Sequence, residues 1–431
     1  MNTTLKLAAL AALVACGTIS ALPSQADELP KNAVTEKRQV QPFKSIESAG
    51  PFRVIIRAQG PHGVEVTGEK DRLHELETVV VGDTLIVREK RRAGFHFGFS
   101  VRSTNAVVTV SAPVVRSLKV SGSGDVELDQ VAGEAFSVHA DGPGDVRVTG
   151  AVRDLDVRST GSGDLDLSRM QAVNANMRMS GPGDVEVAGL TGEVSLDMSG
   201  SGDLSATRLR LSRIGTQVRG PGSARLEGSS REIRTQVSGS GDLEACGLAV
   251  ESAEVALRGP GDGCLGGRIT KFDARVTGSG DLTVSGLAAP SALVQVGGPG
   301  GVELEGSIAA LKVDVDGSGD FEGRQLAIES GTVYVSGPGS VELGTVSKTL
   351  DATLRGSGGM SATLASAKRV VLNMNGPGGA TLDGRVDSIT ARINGSGSLQ
   401  ARGLEATNSD IAVNGPGTAN VNSRARAVAG K

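Results

Sequence analysis

The sequence predicts an all-β chain wound into a single-stranded parallel β-helix, a β-solenoid with ~19.5-residue coils. Three observations carry that prediction. A Gly-x-Gly signature recurs sixteen times at a fixed step. Each step holds two short runs of alternating apolar residues. Glycine reaches 62 residues while aromatic residues make up only 2%.

The first Gly of each signature falls at 122, 142, 161, 181, 200, 220, 239, 259, 278, 298, 317, 337, 356, 376, 395 and 415. Successive steps alternate long and short by a single position without a slip, and the middle residue alternates between Ser and Pro in time with them. Repetition of this kind marks a solenoid, in which one segment cannot bury its apolar stripe alone but stacked segments form a continuous core. In Ser180–Met198, Val185 and Val187 alternate on one face, a second Gly-containing turn follows, and Val194, Leu196 and Met198 alternate again. That period is a strand signal. The corner glycines suit positive φ angles, and Pro presets its own φ and cannot donate to a ladder, so it belongs at a corner. Two coil sizes fit the periodicity: one coil per step, or one wider coil of about 39 residues per Ser/Pro pair of steps. The scarcity of large side chains favours the narrower coil. Sixteen short coils at ~4.8 Å spacing make a rod of roughly 75 Å, and crossovers between parallel strands favour right-handed winding.

Composition excludes several function classes. A formal net charge of -4 lacks the basic excess of a nucleic-acid binder. The four His, at 62, 74, 96 and 139, show no metal-ligand spacing. Gly261–Gly266 fits Gly-x-Gly-x-x-Gly, but no helix follows to receive a phosphate. No Ser-His-Asp or Cys-His grouping stands out and no cofactor is implied, so the chain reads as non-enzymatic.

Along the chain, residues 1–26 read as a signal peptide, with an apolar run at Leu7–Val14 and a small-residue site at Ser24-Gln25-Ala26. The competing reading places lipidation on Cys16, within Leu13-Val14-Ala15-Cys16. Membrane attachment would then be through a lipid only. Residues 27–39 read as a linker and 40–118 as an N-terminal cap of irregular coils without Gly-x-Gly register. Residues 119–431 read as the solenoid, whose last segment loses its apolar pattern.

The block Arg38–Val87 runs RQVQPFKSIESAGPFRVIIRAQGPHGVEVTGE and on to VVVGDTLIVRE. Its Phe-x-x-Ile, Val-x-Ile, Val-x-Val-x-Gly and Asp-x-Leu-x-Val pattern, with the Gly-Ser-Gly-Asp-Val-x-Leu repeats, resembles exported bacterial proteins of the autotransporter adhesin head, or GIN, domain family. The resemblance spans about residues 38–420 and implies a β-helical fold in the cell envelope, with no catalytic residues. The chain departs from that pattern in the number and regularity of its repeats.

Three features could carry chemistry. Asp125, Asp164, Asp203, Asp242, Asp281 and Asp320 follow the Ser-type corners, and Asp145, Asp184 and Asp262 follow Pro-type corners. Stacked, they would stand roughly 5 Å apart and repel. The expected remedy is hydrogen bonding to backbone N–H groups at the corner; the alternative is an oxygen-rich Ca²⁺ edge. The segment Val87–Arg102 gathers Arg88, Lys90, Arg91 and Arg92 with Phe95, Phe97 and Phe99. It could seat on anionic lipid or glycan, or pack across the open solenoid end. Cys246 and Cys264 lie in consecutive segments, and coil stacking pairs Glu244 with Cys264. A disulfide is open at this point, because the offset could exceed disulfide reach.

The leading expectation is therefore an adhesin-like envelope or surface protein, in the periplasm, on the outer membrane or extracellular, binding a surface protein or a glycan. A polysaccharide-active enzyme, for which residues 244–268 hold the clearest break in regularity, and a purely structural spacer are the alternatives.

Overall fold

The computed structural model describes residues 32–90 and 106–423. All of its named strands belong to one continuous hydrogen-bonded system of parallel coils, closed at the N-terminal side by antiparallel strands.

One coil shows how the sequence makes the shape. In Leu165–Met179 the inward residues Leu165, Leu167, Met170, Ala172, Ala175, Met177 and Met179 are buried. Strict alternation fails twice, at Ser168-Arg169 and at Val173-Asn174, where two successive residues stay out of the core. These are bends, and they divide the coil into three short faces. The expectation of two strands separated by a turn is thus corrected. Most coils are one long bent strand; in two of them the middle face breaks, between Val185–Ala188 and Glu193–Met198 and between Gly263–Gly266 and Lys271–Val276.

Register settles the coil size. Leu165 pairs with Val146 on one side and Val185 on the other, and Met177 pairs with Val157 and Leu196, all in parallel. Neighbouring coils are therefore one signature step apart, and the chain makes about 15 such turns of ~20-residue coils.

The corner glycines are needed for a reason other than the expected one. Through the first thirteen corners their φ angles are not positive; only Gly376, Gly395 and Gly415 lie in that region, at 143°, 118° and 126°. Close approach is the constraint. A Cβ on Gly181 would sit closer than 3.0 Å to the carbonyl oxygen of Gly161, and one on Gly183 equally close to that of Gly163. The same Gly161 carbonyl accepts the Gly183 N–H at 3.2 Å, so a side chain there would pry apart a hydrogen-bonded contact. The middle Ser or Pro points outward and is exposed; nothing in the structure explains why the two alternate.

The cap carries a corner that the signature count misses. Strands β1 (Ala33–Arg38), β2 (Ser45–Ala49) and β3 (Arg53–Arg57) open the described chain. β1 lies within the stretch expected to be linker. Between β2 and β3 stands Gly50-Pro51-Phe52, and Gly122 and Gly124 of the first signature stack directly on Gly50 and Phe52. This is a Pro-type corner with Phe in place of the second glycine. After β3 the chain leaves the coil through β4 (Gly63–Glu69), a 3-10 turn at Leu73–Glu75, β5 (Leu76–Val81), β6 (Thr84–Glu89) and β7 (Val107–Ser111). It returns as β8 (Ser117–Val120) and β9 (Val126–Ala140). β6 lies against β2 and β7 against β3, both parallel, forming one more partial coil. Antiparallel β5 covers β6, and antiparallel β4 and β1 cover β7. Covering an open sheet edge in this way removes a template for pairing with other chains.

Core filling is local. Gly323 leaves an inward gap, and the Phe321 ring and Leu326 occupy it, since a Cβ there would meet both at 2.9 Å. Gly263 likewise replaces the large residue that its column carries as Leu243 and Leu282, and side chains of Leu257 and Leu282 close over it. Five of the eight Phe are fully buried, at 43, 52, 136, 272 and 321.

Gly183→Ala is expected to lower stability by about 2–3 kcal/mol through overpacking, whereas Ser162→Ala, an outward change at the neighbouring corner, should stay within about 0.5 kcal/mol. Denaturant melts of the two variants compare them directly.

Candidate binding surface

The aspartates after the corners form a ladder. The Asp145 N–H donates to Asp125 Oδ1 at 3.1 Å, Asp164 N–H to Asp145 at 2.9 Å, Asp184 N–H to Asp164 at 2.9 Å and Asp203 N–H to Asp184 at 2.8 Å. Ser223 N–H donates to Asp203 and the Ser223 hydroxyl accepts from Asp242 N–H. Asp262, Asp281 and Gly301 continue the series from Asp242, and Ser340 donates to Asp320 through both its N–H and its hydroxyl. Each carboxylate thus binds the backbone N–H at the same position of the next coil, not one at its own corner. That N–H meets a carboxylate and not a carbonyl, while the carbonyl of the same residue accepts from the coil before, as Asp145 O accepts Val126 N–H. Among the described residues no group of three or more His, Cys, Asp or Glu is arranged to hold a metal ion.

Beyond Ser340 the aspartates are replaced by Gly359, Gly379, Ser398 and Thr418, and a different ladder takes over just before the corner. Asn394 Nδ2 donates to Asn375 Oδ1 at 2.9 Å and Asn414 Nδ2 to Asn394 Oδ1 at 3.0 Å. The three corners of positive φ are those that follow these asparagines.

Two residues past each ladder aspartate, the outward column carries Glu127, Arg147, Asp166, Glu186, Ser205, Arg225 and Glu244. Ladder and column together line an open groove of about 860 Å³. Its two cations are already engaged: Arg147 Nε lies 2.8 Å from Asp166, and Arg225 pairs with Glu244 at 2.5 Å. Partial burial pushes the Asp166 carboxyl up, but hydrogen bonds from Ser168 and Arg147 outweigh it and hold the group below the usual carboxylate range. The groove is an acidic surface, and no enclosed catalytic pocket is built into it.

The basic and aromatic residues expected to bind a partner are divided. Arg88 lies on β6, where its Nε meets Glu77 at 2.7 Å, and the Lys90 N–H donates to Glu75 O at 2.6 Å. Arg91, Arg92, Phe95, Phe97 and Phe99 lie outside the described residues, as does Cys16. The structure locates where that segment joins: residues 90 and 106 stand at the ends of β6 and β7, the position at which every stacked coil turns its corner.

Cys246 and Cys264 form a disulfide with Cα atoms 5.2 Å apart, well inside disulfide reach. Their offset in register is absorbed by the bend after Ala245, where pairing slips from Ala245–Leu265 to Ala249–Gly266. The bridge ties down the coil in which Gly263 has thinned the core. A further surface escaped the sequence reading. Tyr334, the single tyrosine, is 43% exposed on the third face, with Lys312 Nζ 5.8 Å from its ring centre. Its column position emerges only once the register is known.

A parallel β-solenoid with outward polar ladders is the class that this geometry defines. The family model described as "Putative auto-transporter adhesin, head GIN domain" matches residues 42–194, 153–227, 189–268, 266–363 and 347–430. The chain belongs to that family. Solved structures similar to it include an adhesin-named protein of Bacteroides fragilis (16% identity, 68% of this chain and 97% of that one, TM-score 0.24). Others are a protein named for lipid binding from Parabacteroides distasonis (17%, 68% and 97%, TM-score 0.35) and an adhesin-named protein of Parabacteroides merdae (15%, 70% and 97%, TM-score 0.33). No curated protein matches.

Asp184→Ala should cost about 0.5–1.5 kcal/mol by removing the acceptor of the exposed Asp203 N–H, whereas Asp184→Asn, which keeps an acceptor oxygen, should recover most of it. With the ladder fully engaged by backbone donors, melting temperature should not move with EDTA or added Ca²⁺. Reducing the Cys246–Cys264 bridge should destabilise by about 3 kcal/mol, read as a lower denaturation midpoint in dithiothreitol that Cys246→Ser reproduces.

Proposed function

We propose that the protein is a non-enzymatic, adhesin-like component of the cell envelope or surface, which binds a partner through the segment around residues 88–102 at the N-terminal end of the rod. One observation carries this reading. The outermost partial coil, β6 and β7, has residues 90–106 where other coils have a three-residue corner, so the basic and aromatic segment is inserted in sequence between the two strands nearest that end. Repeating coils supply length and rigidity, and a non-repeating segment supplies variety, the usual division between scaffold and recognition. Arg91 and Arg92 would engage anionic groups and Phe95, Phe97 and Phe99 apolar ones.

Family membership supports the adhesin-like role and an exported location, and it argues against enzymatic activity. The periplasm, outer membrane surface and extracellular space all fit the signal-like residues 1–26, with Cys16 the lipidation point if the chain is tethered. Mass spectrometry of the mature N-terminus separates cleavage after Ala26 from lipidation at Cys16.

The binding reading is tested by replacing residues 91–105 with a short Gly-Ser linker and comparing both proteins on a glycan array, on whole cells and on anionic vesicles. Loss of binding at unchanged melting temperature is the expected result. Equal binding by the two proteins would remove the segment from the function, and no binding by either would leave a spacer.

A further inference from the structure

The third face of the coils carries a second feature, independent of the N-terminal segment. Register stacks Gln217, Gln236, Ala256, Arg275, Gln295, Asp314 and Tyr334 into one outward column, one residue per coil. Arg258 projects two residues beyond Ala256 on the same face, and Arg258 and Arg275 both line an open groove of about 600 Å³ with Gln217, Gln236 and Gln295. The small side chain of Ala256, and Gly215 in the adjoining column, hollow the surface between the longer residues.

The charges of this patch are only partly paired. Several cations of the rod meet an acid on a neighbouring coil: Arg147 with Asp166, Arg213 with Glu232, Arg219 with Asp197, Arg225 with Glu244 and Arg385 with Glu405; others among the described residues are open. Within the groove Arg234 is likewise taken up by Glu232 and Glu254. Arg258 and Arg275 are exposed and lie within ion-pair distance of no acid among the described residues. Asp273 and Asp314 face the same way without a cation. The column thus carries three planar amides, one open cation and one open anion, with Arg258 and Asp273 beside it, and ends on an exposed aromatic ring.

We propose that this face is a binding site for a linear acidic polysaccharide lying along the solenoid axis, with carboxylate-bearing sugars interspersed among neutral ones. Arg258 and Arg275 take a carboxylate, Gln217, Gln236 and Gln295 pair with hydroxyl or amide groups, and the Tyr334 ring stacks on a sugar face. Asp273 and Asp314 accept from hydroxyls and disfavour a polymer charged at every sugar. A protein partner fits less well, because the core of such an interface is apolar and desolvated and this face offers one aromatic ring in a polar setting. The inference rests on reading the chain as a binding protein, but not on residues 88–102 being its contact.

The test uses the mature protein and three immobilised probes: hyaluronan, in which carboxylate sugars alternate with neutral amide sugars; polygalacturonate, charged at every sugar; and neutral dextran. Hyaluronan should bind best and dextran least. The double variant Arg258→Ser/Arg275→Ser should weaken hyaluronan binding at least about tenfold, the scale of one lost charge-assisted contact, and Tyr334→Ala should weaken it several-fold. The protein lacking residues 91–105 should bind hyaluronan as the parent does. All three substitutions face outward, and unchanged melts establish that the variants fold. Equal binding of dextran and hyaluronan, indifference to both sets of substitutions, or equal capture of an acidic peptide in place of the polymer would overturn the proposal. Loss of hyaluronan binding on removing 91–105 alone would transfer the contact to the N-terminal segment. Absence of hyaluronan binding in the parent would refute this site while leaving the cell- and vesicle-binding results to judge the N-terminal segment.

Discussion

The structure depends on how closely successive corners approach. At the Gly-x-Gly corners the backbone of one coil rests against the carbonyl of the coil before it, with no room for a Cβ on either glycine except at Gly395. The first glycine's carbonyl is crowded by the next coil's first glycine and bonded by its second. Two conditions on one oxygen fix both the residue type and the vertical spacing. They also explain why the corners stay in step: a residue inserted there would carry a side chain into that contact. Single-residue differences are absorbed at the bends, where pairing slips from Arg147–Asp166 to Thr149–Arg169; a long insertion at a corner is tolerable only where no coil lies beyond. The long excursion between β6 and β7 meets that condition, because antiparallel strands cover this partial coil.

The aspartate ladder follows from the same corners. Turning the chain tightly leaves one N–H per coil without a carbonyl, and a carboxylate from the previous coil is placed to accept it. The charge is therefore explained by backbone satisfaction, in which a charge-assisted bond outweighs repulsion softened by solvent on the exposed side. An acidic stripe arises without any ligand having to be invoked. Where the aspartates stop, the last corners adopt positive φ and neutral asparagine amides bond coil to coil instead. Corner geometry and ladder chemistry change together, which marks them as one device.

Much of this was legible in the sequence. The alternating long and short steps, the corner position of Pro and the inward Val and Leu runs all follow from spacing, and the coil size follows from the shortage of large side chains. The glycines themselves were legible, their reason was not: spacing along the chain does not reveal contact between coils, and positive φ is the commoner cause. Gly50-Pro51-Phe52 escaped because Phe52 breaks the signature and the next corner, at Gly122, stands several coil lengths further along the chain. Ladder donors were expected at each aspartate's own corner because local turns are what a linear sequence displays. The column ending at Tyr334 was invisible for a related reason. Its members stand a full coil apart along the chain, and nothing in their identities repeats.

A solenoid of this width has no interior to spare for chemistry. Inward positions are filled by Val, Leu and Ala, and where a glycine opens space a neighbour such as Phe321 closes it. Recognition is thereby confined to outward columns and to the ends. On the columns, many charges are spent on neighbouring coils, and such exposed pairs contribute little stability but do neutralise the surface. What distinguishes one stretch of rod from another is the residue left without a partner. Arg258 and Arg275 are of that kind, on the face that also carries the exposed Tyr334 ring. A repeating scaffold makes such departures readable, because the other coils show what the fold alone requires.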